Sequence, residues 1–359
     1  MVPPGAPGWT PPPKPGLIPL RPLTLGGILG ASFQVLRRNP RPTFGFSLIL
    51  NGIVGLVSLG VVGLVGYFAF SRAFTATAGN QDQLAAGAFA QTALSGLIPA
   101  VLTLVTAAVL QGIISLEVAR GTVGERLKLG GLWRQAKGRI GALIGWSLLL
   151  VGAILVVIVV LSVLIGLLIG FGGAAGAVVG ALLIVLAVAG LVVVGAWVGV
   201  RTALVPSALM LERLPLRAAI GRSWSLTTGY YWRTLGILLL VSVILSTASS
   251  IVTFPISFLL GLGATLINPN GDESAFVVVT VVAYVLTFIV STVFGAITSI
   301  VQSAAAALIY IDLRMRKEGL DLDLTRFVEA RQAGDASVAD PFLRGTVATP
   351  AQPDGSPWA

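Results

Sequence analysis

The chain holds 359 residues, 55% of them apolar and only 10% charged, with a mean hydropathy of +0.95 and a formal net charge of +9. This composition excludes an ordinary soluble domain. With no His and no Cys, it also excludes an imidazole base, a thiolate nucleophile, disulfides and Cys or His metal sites, so no cofactor is expected.

Residues 1–22 are rich in Pro, including Pro11, Pro12 and Pro13, and too poor in apolar side chains to form a core. They are expected to be a disordered cytoplasmic tail. Thr24 then stands where it can cap a short amphipathic helix carrying Leu25, Ile28, Leu29, Phe33 and Leu36 on one side, stopped by Pro40 and Pro42. Six apolar stretches follow, each exceeding the roughly 20 residues that cross a bilayer core. They run from about Phe44 to Phe70, Leu94 to Leu116, Ile140 to Ile169, Ala174 to Val200, Leu235 to Ile267 and Phe276 to Ile311. Pro255 falls inside the fifth, where neighbouring groups can satisfy the carbonyl it frees. The outer connections are short: Ser71 to Ala93, a Gly-rich turn near Gly172, and an acidic turn over 268–274. Asp272 and Glu273 in that turn are too few for calcium, which takes about six to eight oxygens.

One spacing recurs three times. Phe33, Trp133 and Trp224 each follow Leu29, Leu129 or Ile220 by four residues and precede Gly45, Gly145 or Gly236 by twelve. Leu129, Leu132, Trp133, Ala136 and Ile140 form the second amphipathic stretch; Leu216, Ala219, Ile220, Ser223 and Thr227 form the third, after Pro215. The pattern predicts an all-α integral membrane protein of six transmembrane helices. These form three two-helix repeats, each preceded by a cytoplasmic interfacial amphipathic helix. Three copies in one orientation allow a pseudo-threefold axis along the membrane normal. The membrane domain is expected over 23–324. A mostly disordered cytoplasmic tail follows over 325–359, with a brief helix over 325–333.

Basic residues sit in the connections on one side; of 23 Lys and Arg, only Arg72 falls on the other. Short basic loops stay cytoplasmic, so both termini are expected inside a bacterial inner membrane. Arg37, Arg38, Arg134, Lys137, Arg139, Arg217, Arg222 and Arg233 are the candidate contacts to anionic lipid headgroups, at about 1 kcal/mol each near the surface. Phe33, Trp133, Trp224, Tyr230, Tyr231 and Trp232 are the candidate interfacial anchors. Gly172, Gly176 and Gly180, at four-residue spacing, can bring two helices into close contact. No aromatic and basic residues interleave on a soluble module, so nucleic acid is not an expected partner.

No span carries an ionisable residue near its middle, which disfavours proton coupling. Glu117 and Asp312 lie at span borders, where Arg120 and Arg314 can balance them. The sixth span aligns Ser291, Gly295, Thr298, Ser299 and Gln302 on one stripe, expected to face Ser246, Thr247, Ser249 and Ser250 of the fifth. Such stripes hold helices together or line a passage.

The run LERLPLRAAIGRSWSLTTGYYWRTLGILLL, which carries Glu212 through Leu240, holds Ala219, Arg222, Ser223, Trp224, Gly229 and Tyr231 in a pattern that resembles the membrane domain of glycerophosphoryl diester phosphodiesterases. The segments LTLGGILGASFQVLRRNP, ending at Pro40, and YIDLRMRKEGLDLDL, from Tyr310, look like stand-alone multi-span actinobacterial members of that group. In the family's enzymes hydrolysis belongs to a separate barrel with paired histidines and a divalent metal. The residues after Arg314 are too few for such a barrel, which takes about 250, and no His is present. The resemblance therefore implies a membrane module without the catalytic domain.

Together these features lead to the expectation of a non-enzymatic scaffold or accessory protein in envelope or lipid metabolism, with membrane lipids and an unidentified protein as partners. The alternative is a passive or lipid-like transporter with its site between repeats, near Gln302. An enzymatic reading would have to rest on Glu125, Glu212 and Asp312 at the inner face.

Overall fold

The computed structural model describes residues 16–75, 80–125, 128–266, 273–335 and 337–343. Pro11 to Pro13, Lys14, Arg126, residues 268–272 of the acidic turn and Arg344 lie outside the described residues. Those described contain α-helices and no strand. Six helical stretches are long and apolar enough to cross a membrane: Thr43–Phe74, Gln83–Thr122, Ile140–Phe171, Val178–Leu211, Tyr231–Ile256 and Val281–Glu318. The chain is an all-α polytopic membrane protein.

The amphipathic stretches become α1 (Leu25–Arg38), α5 (Leu129–Ala136) and α9 (Leu216–Thr227). Thr24 caps α1 by accepting a hydrogen bond from the Gly27 amide at 3.2 Å. A π-helical turn over Arg41–Gly45 leads into α2 (Phe46–Phe74). The segment expected to be an outer loop is largely helical instead: α3 (Gln81–Ser95) folds against α2, and α4 (Leu97–Thr122) continues from it after Gly96. Phe89 reaches Phe70 edge-on, with ring centroids 4.9 Å apart, which gives α3 an aromatic reason to fold back. The remaining spans are α6 (Ile140–Phe171), α7 (Gly173–Thr202), α10 (Tyr231–Leu266) and α11 (Glu273–Glu318). A short helix, α8 (Val205–Leu211), follows α7, and α12 (Leu320–Gln332) follows α11.

Helix contacts follow a cyclic order. The hairpins are α2 with α4, α6 with α7, and α10 with α11; between hairpins α4 meets α6, α7 meets α10 and α11 meets α2. Each amphipathic helix docks on the second span of the hairpin before it: α5 on α4, α9 on α7 and, closing the cycle, α1 on α11. The equivalence fails at the centre. There α4 packs extensively on α11, whereas α7 makes no comparable contact with either.

The buried core is concentrated at the basic end. It joins Leu17, Ile18 and Leu23 before and at the start of α1, the second half of α4, all of α8, Ile300 to Met315 of α11, and Leu320 and Leu324 of α12. This distribution follows from the solvent. Lipid tails are as apolar as Leu, so spans gain little by burying one another, while side chains at the watery end gain about 1.5–3 kcal/mol each on burial.

Among the described residues, 16–22 and 337–343, which fall in the segments expected to be disordered, pack at the basic end. Leu17, Ile18 and Leu20 are buried, and the Leu17 amide donates to the Gly121 carbonyl at 2.8 Å. At the other end α12 starts at Leu320, immediately after Gly319 at φ +68°, a conformation that favours glycine. Beyond α12, Phe342 is 2% exposed and its carbonyl accepts from Arg314 at 3.0 Å. The tail is therefore a strap across the basic end through residue 343.

Candidate functional site

Where α7 stands back from α4 and α11, a cavity of about 240 Å³ remains. Gln111 of α4, Ala203 below α7, Ser242 of α10, and Ser299, Gln302 and Ser303 of α11 line it. Gln111 donates to the Ala203 carbonyl at 2.6 Å, and Gln302 donates to the Ser242 hydroxyl at 3.2 Å. Ser299 accepts from Asn51 of α2 at 3.4 Å, which extends the polar side chains across four spans. Among the described residues no charged side chain lines this space. The arrangement can exchange hydrogen bonds with a neutral guest and has no countercharge for an ion.

The stripe on α11 thus meets different partners from those expected. Gln302 pairs with Ser242, one helical turn before Ser246, while Ser246 is exposed and bonds back to the Val243 carbonyl of its own helix. The crossing of α10 and α11 sets this offset, which the sequence spacing leaves open.

Charged residues gather in a second layer at the basic end. Glu212, directly after α8, has a fully buried side chain that accepts from Arg222 of α9 at 2.8 and 3.1 Å and from the Tyr310 hydroxyl. Arg314 lies 3.6 Å from Glu212 and 3.1 Å from Glu318, and Arg222 also meets Glu318. Burial pulls the Arg222 pKa down, but its bonds to Glu318 and Glu212 outweigh that and hold it above the ordinary arginine value. Nearby, Asp312 receives Arg233 and Arg316, each at 3.0 Å, together with the Leu23 amide at 2.7 Å. Arg314 therefore balances Glu212 and Glu318, not Asp312. Arg120 is held by Asp340 and Glu125, while Glu117 accepts from Asn39 at 3.2 Å.

The eight candidate headgroup contacts divide. Arg222 is 8% exposed and committed to Glu212 and Glu318, so it is not a headgroup contact. Three others are tied partly to backbone carbonyls: Arg38 to Gly121 and Glu125, Arg139 to Leu214, and Arg233 to Leu23. Folding a helical end leaves orphan carbonyls that a guanidinium satisfies well. Arg37, Arg134, Lys137 and Arg217 are exposed and have no protein partner among the described residues.

The aromatic candidates sit at comparable junctions. Trp133 meets Phe46 edge-on at 6.3 Å, and Trp224 meets Trp197 at 5.2 Å beneath the Arg201 guanidinium. Tyr231 contacts Arg201 and Trp232, Tyr230 lies under Lys317, and Trp232 remains 79% exposed. On α1 the buried face is Ile28, Ala31, Ser32 and Val35. Leu25 and Phe33 are exposed, which leaves Phe33 where an interfacial anchor would stand. Gly172, Gly176 and Gly180 lie at the α6–α7 turn: a Cβ on Gly176 would stand 2.3 Å from the Leu168 carbonyl oxygen, and one on Gly180 2.5 Å from Ile169.

Fold and site thus define a polytopic membrane protein with a neutral cavity inside the bundle and an ion-paired layer below it. Residues 68–313 match the family described as a domain of unknown function, DUF7847, and the chain belongs to that family. No curated protein matches the chain, and no solved structure does.

Proposed function

We propose that this protein is a non-enzymatic scaffold or accessory module of a bacterial cell membrane, serving envelope or lipid metabolism, with three repeats and both termini in the cytoplasm. The observation that carries this reading is the commitment of the ionisable groups. Glu212, Arg222, Arg314 and Glu318 neutralise one another within a packed layer, Asp312 is held by Arg233 and Arg316, and the cavity presents amides and hydroxyls. Catalysis needs an acid, base or nucleophile that reaches a substrate; here carboxylates reach guanidiniums. The resemblance to the membrane domain of glycerophosphoryl diester phosphodiesterases points towards lipids. The exposed Arg134, Lys137 and Arg217 suit anionic headgroups. Purified protein in nanodiscs, given glycerophosphodiesters and phospholipids, is expected to release no product above a protein-free control. Turnover that survives repurification and is lost in Glu212→Gln would overturn the proposal.

A second reading, a passive or lipid-like transporter, is favoured by the cavity beside Gln302. Lipid scrambling or solute flux in proteoliposomes above that of empty vesicles is the result that would select it.

A further inference from the structure

We propose that the cavity between α4, α10 and α11 is a lateral binding site for the uncharged, hydroxyl-bearing headgroup of a lipid. The inference rests on the reading that this protein serves lipid metabolism, and it names the ligand class.

The chemistry of the walls sets that class. A phosphate or ammonium would enter a space without a countercharge and lose hydration that nothing replaces. A bare acyl chain fails for the opposite reason. Gln111 and Gln302 each donate one amide N–H, to Ala203 and Ser242, which leaves each amide with its oxygen and a second N–H, and the Ser303 hydroxyl has no hydrogen-bond partner among the described residues. A hydrocarbon there would strand these groups. Hydroxyl groups supply the missing donors and can accept from Ser303 in return.

Size and access agree. About 240 Å³ is room for a glycerol-sized group and not for a whole lipid. Access is lateral: Ala107 is exposed at the rim, and α7 stands back from α4 and α11. Acyl chains left outside would lie along the exposed apolar faces of α7 and α10, among Val194, Leu239 and Val243.

The test uses full-length protein in nanodiscs of phosphatidylethanolamine and phosphatidylglycerol, doped with a diacylglycerol that carries a photoreactive diazirine near its glycerol end. Labelling is expected to concentrate on the cavity-lining parts of α4, α10 and α11. Gln302→Leu and Ser303→Ala should each lower it about five- to tenfold, while Ser246→Ala, on the exposed face of α10, leaves it unchanged. Thermal stability of each variant separates a lost site from a lost fold. Labelling spread evenly over the lipid-facing spans would overturn the proposal, as would equal labelling by a matching phosphatidylglycerol probe or removal of the label by excess free glycerol. Failure here, with no hydrolysis in the nanodisc assay above, removes the cavity assignment and leaves the non-enzymatic reading standing.

Discussion

Arg222 and Glu212 meet through two hydrogen bonds from one guanidinium nitrogen, at 2.8 and 3.1 Å, and this contact ties α9 to the end of α8. Through Glu318 and Arg314 the pair extends to α11. Arg222→Ala leaves Glu212 buried with its main partner gone, which is expected to cost about 3–5 kcal/mol. Thermal unfolding in detergent measures the loss. The double variant Arg222→Met with Glu212→Gln should be less damaged than the two single effects combined, because it removes both charges.

The same pair gives a pH prediction. A base whose folded pKa is raised contributes stability that is fully present below its unfolded value and is lost as pH rises through the folded one. For Arg222, held above the ordinary arginine value, that window lies beyond usable alkaline pH. In Arg222→Lys the ammonium titrates from about 10.4 upward. The stability gap between the natural chain and this variant should stay constant from about pH 6 to 8 and widen above about pH 10.

Close approach at the α6–α7 turn predicts a sharp contrast between glycines. Gly176→Ala places a Cβ against the Leu168 carbonyl, which is expected to cost about 1–3 kcal/mol. Gly190 of α7 has open space around it, so Gly190→Ala should be neutral or stabilise by up to about 1 kcal/mol. Melting temperatures of the two variants decide.

The C-terminal strap is held more by Phe342 than by its ion pair. Phe342→Ala is expected to cost about 3–5 kcal/mol. Asp340→Asn should cost about 0–1 kcal/mol, since Arg120 and Asp340 keep 18% and 24% side-chain exposure. Limited proteolysis should cut the tail after the first substitution and spare it after the second.

Because the chain has no Cys, single introduced cysteines report sidedness without background. Under the proposed topology, Lys137→Cys should react with an impermeant maleimide only after the cells are opened. Gln81→Cys, exposed at the start of α3, should react in intact cells. The reverse pattern would invert the orientation.

Long apolar runs made the six spans legible, and Thr24 announced the first helix start, because hydrophobic length and capping are local properties. The short helix α8 was hidden. Val205–Leu211 continues the apolar run of α7, and Pro206 near its start was the only local signal of a break. Charge partners were hidden more deeply: Asp312 precedes Arg314 by two residues yet binds Arg316, Arg233 and the Leu23 amide. The side of α11 on which Asp312 lies, and the docking of α1, decide that choice. The polar cavity was half legible. Gln302 and Ser299 stood out as a stripe, but Gln111 reads as an isolated amide until α4 and α11 are brought together.

The clasp at Leu23 bears on how the molecule is made. Its amide is bound by Asp312, and its carbonyl accepts from Arg233 and Arg316. All three partners lie more than two hundred residues downstream, so a ribosome releases the first part of this contact long before it releases the rest. Earlier spans must enter the bilayer while that segment still has nowhere to settle. The residues translated first are thus among the last to reach their resting place, and a nascent chain halted before the sixth crossing would keep its own beginning open to proteases.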